Sequence, residues 1–189
     1  MSWFRRKPEP SALDRLRGQW RCTGCDEIHD GLVHLAAFAP DPWPGGEIRE
    51  ENGALRYDGN FLSEDFCVMD GEYFFVRAVL EIPVLGVAEK FGFGCWSTLS
   101  RANFDKYISG FDDGIFPDDG PWSGWLCNRL ADYIGTEPAA VWVYPHPDRQ
   151  RPTLCIQDSD HPLAIDQETG ITPERALAFF ARYGHEPIA

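Results

Sequence analysis

No stretch of this 189-residue sequence approaches the ~20 consecutive apolar residues of a membrane-spanning helix, so no membrane span is expected. Bases are scarce too. Against 30 Asp and Glu stand 17 Lys and Arg, a formal net charge of -13. A chain that acidic is repelled by phosphate backbones, which removes nucleic acid from the expected partners and leaves room for a basic protein partner. The one cluster of cations, Arg5, Arg6 and Lys7, is followed by Glu9 and Asp14 instead of an apolar stretch, so no secretory leader is expected. Without a leader, the 6 cysteines are expected in a reducing cytoplasm, where thiols bind metal or pack and do not pair. Two patterns are also missing. There is no alternation of strand and helix signals of the kind that surrounds a thioredoxin-type thiol pair, and there is no second Cys-x-x-Cys.

What the sequence does contain is Cys22-x-x-Cys25-x-x-x-His29. Two thiolates on a tight turn can point at one Zn²⁺, and an imidazole a few residues on can supply a third donor at the ~2.0 to 2.3 Å that zinc favours. Gly24 inside the turn lets the backbone fold back so that both sulfurs face one side. The remaining thiols, Cys67, Cys95, Cys127 and Cys155, are single, and the nearest other imidazole, His34, falls in an apolar run. A buried reduced pair and a redox pair are the competing readings.

Aromatic residues make up 14% of the chain, with 7 Trp and 13 Phe, which is enough to build a core. The length fits an N-terminal arm with a short helix over 1–18 and a single domain over 19–189. Ser11 with Asp14 signals the short helix. Strands are expected over 32–38, 66–69, 73–83, 91–99, 141–144 and 153–157, with a hairpin turn at Asp70-Gly71 and another, within 47–58, at Asn52-Gly53. Along 73–83, Phe75, Arg77, Val79 and Glu81 share a face, whose plain reading is a solvated sheet surface. Ser100 caps one helix, Trp122 to Leu130 supply the apolar side of another, and Thr172-Pro173 opens a last one that Gly184 stops. The acidic loop with Asp112, Asp113, Asp118 and Asp119 lacks the closing glutamate of an EF-hand and reads as solvated. The expected fold is α+β: an antiparallel sheet, a meander of hairpins, covered by a few helices, with a zinc-knuckle-like turn near the N-terminus.

Several blocks, taken together, resemble an uncharacterised bacterial family, domain of unknown function 2199. They are the Cys22, Cys25, His29 motif, the run from Asp65 through Arg77, Leu80 to Val84, Trp96 to Ser100, Gly124 to Asn128, and His161 to Ala164. The resemblance implies a single domain and makes the Cys-Cys-His motif a family feature. It also makes Cys67, at the start of a block on the central hairpin, the preferred fourth ligand, ahead of Cys127 and His34.

Three functions compete on these residues. The first is a zinc-stabilised acidic module that binds a protein, one version being the neutralising, immunity type, with Trp43 and Trp122 as loop aromatics. The second is a metal-dependent hydrolase with an open position on the zinc; Ser97, Asp160 and His161 also form a triad on paper. The third is a small-ligand binder whose pocket would be lined by Arg77, Trp96, Trp125, Asn128 and His161. The expectation adopted is the first, with structural zinc and no catalytic residue.

Overall fold

A computed structural model of the protein describes residues 9–46, 48–116, 120–133 and 138–187. The basic cluster at 5–7 and Asp118 and Asp119 of the acidic loop lie outside the described residues.

Helix α1 (Ala12–Leu16) begins with a reciprocal cap: the Ser11 hydroxyl accepts from the Asp14 N–H, and the Asp14 carboxylate accepts from the Ser11 N–H, both at 3.2 Å. Strands β1 (Gln19–Arg21) and β2 (Ile28–Asp30) then form a small antiparallel sheet of their own, with Trp20 opposite His29. The remaining strands, β3 (Leu35–Ala36), β4 (Phe61–Leu62), β5 (Phe66–Met69), β6 (Tyr73–Pro83), β7 (Lys90–Leu99), β8 (Trp122–Trp125), β9 (Ala140–Tyr144) and β10 (Thr153–Ile156), belong to one 8-stranded sheet. Between β5 and β6 the turn works as the dipeptide dictates. Asp70 and Gly71 take φ of 53° and 69°, the left-handed pair whose twist matches the flanking strands.

The strand order is β3-β7-β6-β10-β9-β8, with β5 beside β6 and β4 beyond β5. Most pairings are antiparallel. However, β3 meets β7 and β10 meets β6 in parallel, so the order is not that of a simple succession of hairpins. Past the end of β8, Leu126 bridges Ser97, and the Cys127 N–H donates to the Trp96 carbonyl at 2.8 Å. These contacts join β8 back to β7, closing the path β7-β6-β10-β9-β8 into a ring. Gly124 sits at the closure. A Cβ there would overlap the Thr98 carbonyl oxygen, so a residue without a side chain is required. The helix expected across Trp122 to Leu130 is therefore replaced by a strand: Trp122 and Gly124 are buried while Ser123 and Trp125 are exposed, a period of two.

The main core draws on residues from Leu16 to Phe180. Helix α2 (Arg101–Phe111), capped by the Ser100 hydroxyl, places Phe104 with its ring 5.3 Å from Phe74 and 6.2 Å from Phe66. Helix α4 (Pro173–Arg182) packs Phe179 and Phe180 against Phe91, 5.9 and 5.3 Å away. A smaller core on the opposite face of β6 and β7 holds Leu62, Cys67, Met69, Phe75 and Trp96.

Three further expectations change. Asn52 and Gly53 form a short 3-10 turn and not a hairpin, because the Asn52 side chain is drawn to the Asp65 carboxylate at 2.8 Å. Arg77 is not on a solvated face. It is buried, 3.8 Å from Glu64, and burial followed by repulsion from Arg151 and Arg49 lowers its pKa. Helix α3 (Pro162–Thr169) was not anticipated; His161 caps it, accepting the Leu163 N–H at its Nδ1, and Pro162 takes the first turn. Asp166 of α3, itself buried, accepts hydrogen bonds from the Tyr133 hydroxyl at 2.5 Å and from Arg175 of α4 at 2.8 Å.

Candidate metal centre

The β1–β2 hairpin carries three of the residues singled out in the sequence. Cys22 follows β1 directly, Cys25 lies in the connecting turn, and His29 is the middle residue of β2. The Cys22 N–H donates to the Glu27 carbonyl at 2.9 Å, and Asp26 accepts a left-handed φ of 58°, so the six residues between the strands fold into a tight knuckle. Trp20 supports it from beneath. Its ring is 4.6 Å from that of His29 and stacks at 6.4 Å on Phe180 of α4, and its Nε1–H donates to the Gly31 carbonyl.

A fourth donor arrives from the other end of the chain. Helix α4 stops with Gly184 at φ 83°, its N–H donating to the Ala181 carbonyl while the His185 N–H donates to that of Phe180. This is a Schellman-type cap, and it turns His185 back over the knuckle. The tail continues along it: the Thr23 N–H donates to the Glu186 carbonyl at 2.8 Å, and Cys22 bridges Pro187. Gly24 is needed at the crossing, since a Cβ would overlap the Gly184 carbonyl oxygen.

One donor atom each from Cys22, Cys25, His29 and His185 lies within 4.8 Å of every other, and these four residues could hold a metal ion. Cys25 Sγ is 3.3 Å from His29 Nε2, and His185 Nδ1 is 3.8 Å from Cys25 Sγ and 3.9 Å from Cys22 Sγ. A tetrahedral ion with bonds of ~2.0 to 2.3 Å separates its donors by about 3.3 to 3.8 Å, so the set is close to its final size. Burial opposes ionisation of Cys22, but N–H groups of Cys25, Gly24 and Glu186 directed at its sulfur lower the thiol's pKa overall. Cys25 moves the other way. The Glu27 N–H favours its thiolate, but desolvation and the neighbouring Cys22 outweigh it and the pKa is raised. A cation between them stabilises both thiolates at once.

The residue brought beside Cys22, Cys25 and His29 is His185, and Cys67 is not among the four. Cys67 belongs to the smaller core, fully buried, and burial pushes its thiol up to about 12. Cys95 is likewise buried, at about 12. Alkylation of native, metal-stripped protein, followed by peptide mapping, is therefore expected to modify the exposed Cys25 quickly and to reach Cys67 and Cys95 only on unfolding. Rapid native modification of Cys67 would contradict its burial.

The five residues expected around a ligand pocket divide. Trp125, Asn128 and His161 line one cavity of about 610 Å³. Arg77 and Trp96 do not line it: Arg77 lies beside Glu64, and Trp96 is fully buried, its N–H donating to Asn128 Oδ1 at 2.8 Å. The paper triad is not joined by hydrogen bonds. The Ser97 hydroxyl donates to the Thr98 carbonyl, and His161 Nδ1 is occupied by the Leu163 N–H. His185 is the functional candidate that sequence reasoning missed. Its signal was an imidazole one residue beyond a helix-stopping glycine, in a chain with only 5 histidines.

Comparison with protein families finds a match over residues 21–171 to the family described as "Uncharacterized protein conserved in bacteria (DUF2199)". No curated protein and no solved structure matches the chain. The matched region contains Cys22, Cys25 and His29 and ends before His185.

Proposed function

The chain belongs to the DUF2199 family of uncharacterised bacterial proteins, and from that membership and the four converging donors we propose a zinc-stabilised acidic module that binds a protein partner. The observation that carries the reading is the donor set. Two thiols and two imidazoles fill a tetrahedral shell, and thiolates donate charge that reduces Lewis acidity, so the site favours a structural ion. A hydrolase would need an open position for water on the metal, which a fourth protein donor takes. Bound there, zinc would tie the β1–β2 hairpin to the segment that follows α4.

For the partner, the support is charge and an aromatic sheet face. The protein carries a net charge of -13, which steers a basic protein towards it. Trp122 is buried and Trp43 packs on the smaller core, so neither presents itself as the sequence led us to expect. Instead Trp142 and Tyr144 alternate outward along β9, with Trp125 exposed on the adjacent strand. Amphipathic aromatics on a rigid strand are the side chains that anchor protein interfaces.

Elemental analysis of the purified, untagged protein tests the metal. Zinc is expected at a stoichiometric level, lost on changing Cys22→Ser with Cys25→Ser, weakened in His185→Ala and unaffected by Cys67→Ser. Zinc absent from protein prepared under reducing conditions without chelator would reject the reading, and zinc lost in Cys67→Ser but kept in His185→Ala would return the fourth position to Cys67. For the partner, the protein retained from a native lysate should prove basic when sequenced, should elute with salt, and should be lost with Trp142→Ala and Tyr144→Ala together. Retention indifferent to salt and to both changes would oppose the docking face.

A further inference from the structure

The cavity of about 610 Å³ lies between the segment after β8 and the start of α3, and none of the four metal donors lines it. Its walls are largely apolar, with Leu126, Leu130 and the half-exposed ring of Trp125. Its polar groups are few, and most are already engaged. Asn128 uses its carbonyl oxygen for the Trp96 N–H and its amide hydrogens for the Ala39 carbonyl and the Asp41 carboxylate. The other oxygen of Asp41 accepts the Arg129 N–H. Asn128 and Asp41 therefore build the wall and have little left to offer a ligand.

Two groups remain. His161 Nδ1 accepts the Leu163 N–H at 3.1 Å as the cap of α3, which leaves the ring proton on Nε2. That Nε2–H is buried and meets no acceptor among the described residues, so a donor in the cavity wall is left without its hydrogen bond. The guanidinium of Arg129, an exposed residue of the lining, makes no hydrogen bond or ion pair among the described residues; only its backbone N–H is bonded, to Asp41. An apolar wall, a buried neutral donor and an uncommitted cation together call for a molecule with an apolar body and an anionic acceptor.

We infer that this cavity binds a small organic carboxylate, its carboxylate oxygens accepting from His161 Nε2–H and Arg129 and its hydrocarbon part lying against Trp125 and Leu130. Carboxylate fits better than phosphate because one donor is neutral and the walls are apolar, so a single charge with an apolar body is matched while a dianion is not.

The experiment is titration of the full chain, with its metal, by phenylacetate and indole-3-acetate, followed by calorimetry, with the matching amides and inorganic phosphate in parallel. Both carboxylates are expected to bind, and the amides to bind at least about tenfold more weakly, the difference of one charge-assisted hydrogen bond. His161→Asn keeps an oxygen to cap α3 and removes the Nε2–H; Arg129→Gln removes the cation. Each is expected to weaken phenylacetate about tenfold with the melting temperature unchanged. Absence of binding by both carboxylates at millimolar concentration, binding of amides equal to that of acids, or wild-type affinity in both variants would overturn the proposal. Inorganic phosphate binding as tightly as phenylacetate would overturn the choice of an apolar carboxylate.

Discussion

Stripping the metal from the holoprotein is expected to remove about 4 kcal/mol of stability when the free ion had stood at ~1,000 times its dissociation constant, because an ion that binds only the folded chain stabilises it by mass action. The loss should be local before it is global. Without the ion, the tail after α4 stays on the knuckle, among the described residues, through the Thr23 N–H and hydroxyl donating to the Glu186 carbonyl, the Cys22–Pro187 bridge and the ring contact of His29 with His185. The strands of the ring share the main core with Trp20 and Phe180 but, among the described residues, contribute no donor to the site. Calorimetry with and without chelator should show a lower melting temperature. Amide hydrogen exchange should quicken at Cys22 and Thr23 and hold steady along β6 and β7. Acid should act like chelator, since thiols and imidazoles must lose protons to bind and protons compete as pH falls. A melting temperature indifferent to chelator, in protein that contained zinc, would mean that the ion sits there without holding the tail.

Replacing Asp166 by alanine is expected to destabilise the protein by about 3 kcal/mol, the low end for breaking a buried charge pair. Asp166 is 6% exposed and receives Arg175 at 2.6 Å on one oxygen and 2.8 Å on the other, together with the Tyr133 hydroxyl. Burial first, and the bond to Asp166 second, raise the pKa of Tyr133, so its phenol remains a donor across the physiological range. Alanine removes the carboxylate that accepts from Tyr133 and pairs with Arg175, while Arg175, part-exposed, recovers some hydration; hence the low end of the range. Asp166→Asn keeps an acceptor and loses the charge, and should cost about half as much. Urea denaturation with an unchanged m-value measures both. A loss under about 1 kcal/mol for alanine would show that α3 and α4 are held by apolar packing alone.

What the sequence made legible was local. The caps at Ser11, Ser100 and Thr172, the Asp70-Gly71 turn and the knuckle of Cys22, Cys25 and His29 each depend on residues within a few positions of one another. His185 did not, because it reaches Cys25 across 160 residues through the stacking of Trp20 on Phe180 and the turn at Gly184. The segment from Trp122 misled for a related reason. Its large apolar residues fit a helix face as well as a strand, and the deciding contact, Gly124 against Thr98, is nonlocal. Arg77 was misplaced because a charge in a strand says nothing of what covers it, and here Glu64 and Arg151 do. Only α3 was readable and unread, from Pro162 after a polar run.

The closed path of strands also bears on how the folded protein meets copies of itself. An open sheet ends in two rows of unpaired backbone groups that can recruit strands from another chain. In the ring, β7, β6, β10, β9 and β8 have backbone neighbours on both sides for part of their length. The terminal strands β3 and β4 are only 2 residues long, too short to template a neighbour. An acidic surface adds repulsion between copies. The long hydrophobic strands β6 and β7, the most hazardous segments were they on a border, lie side by side, where edge-to-edge growth has little to start from.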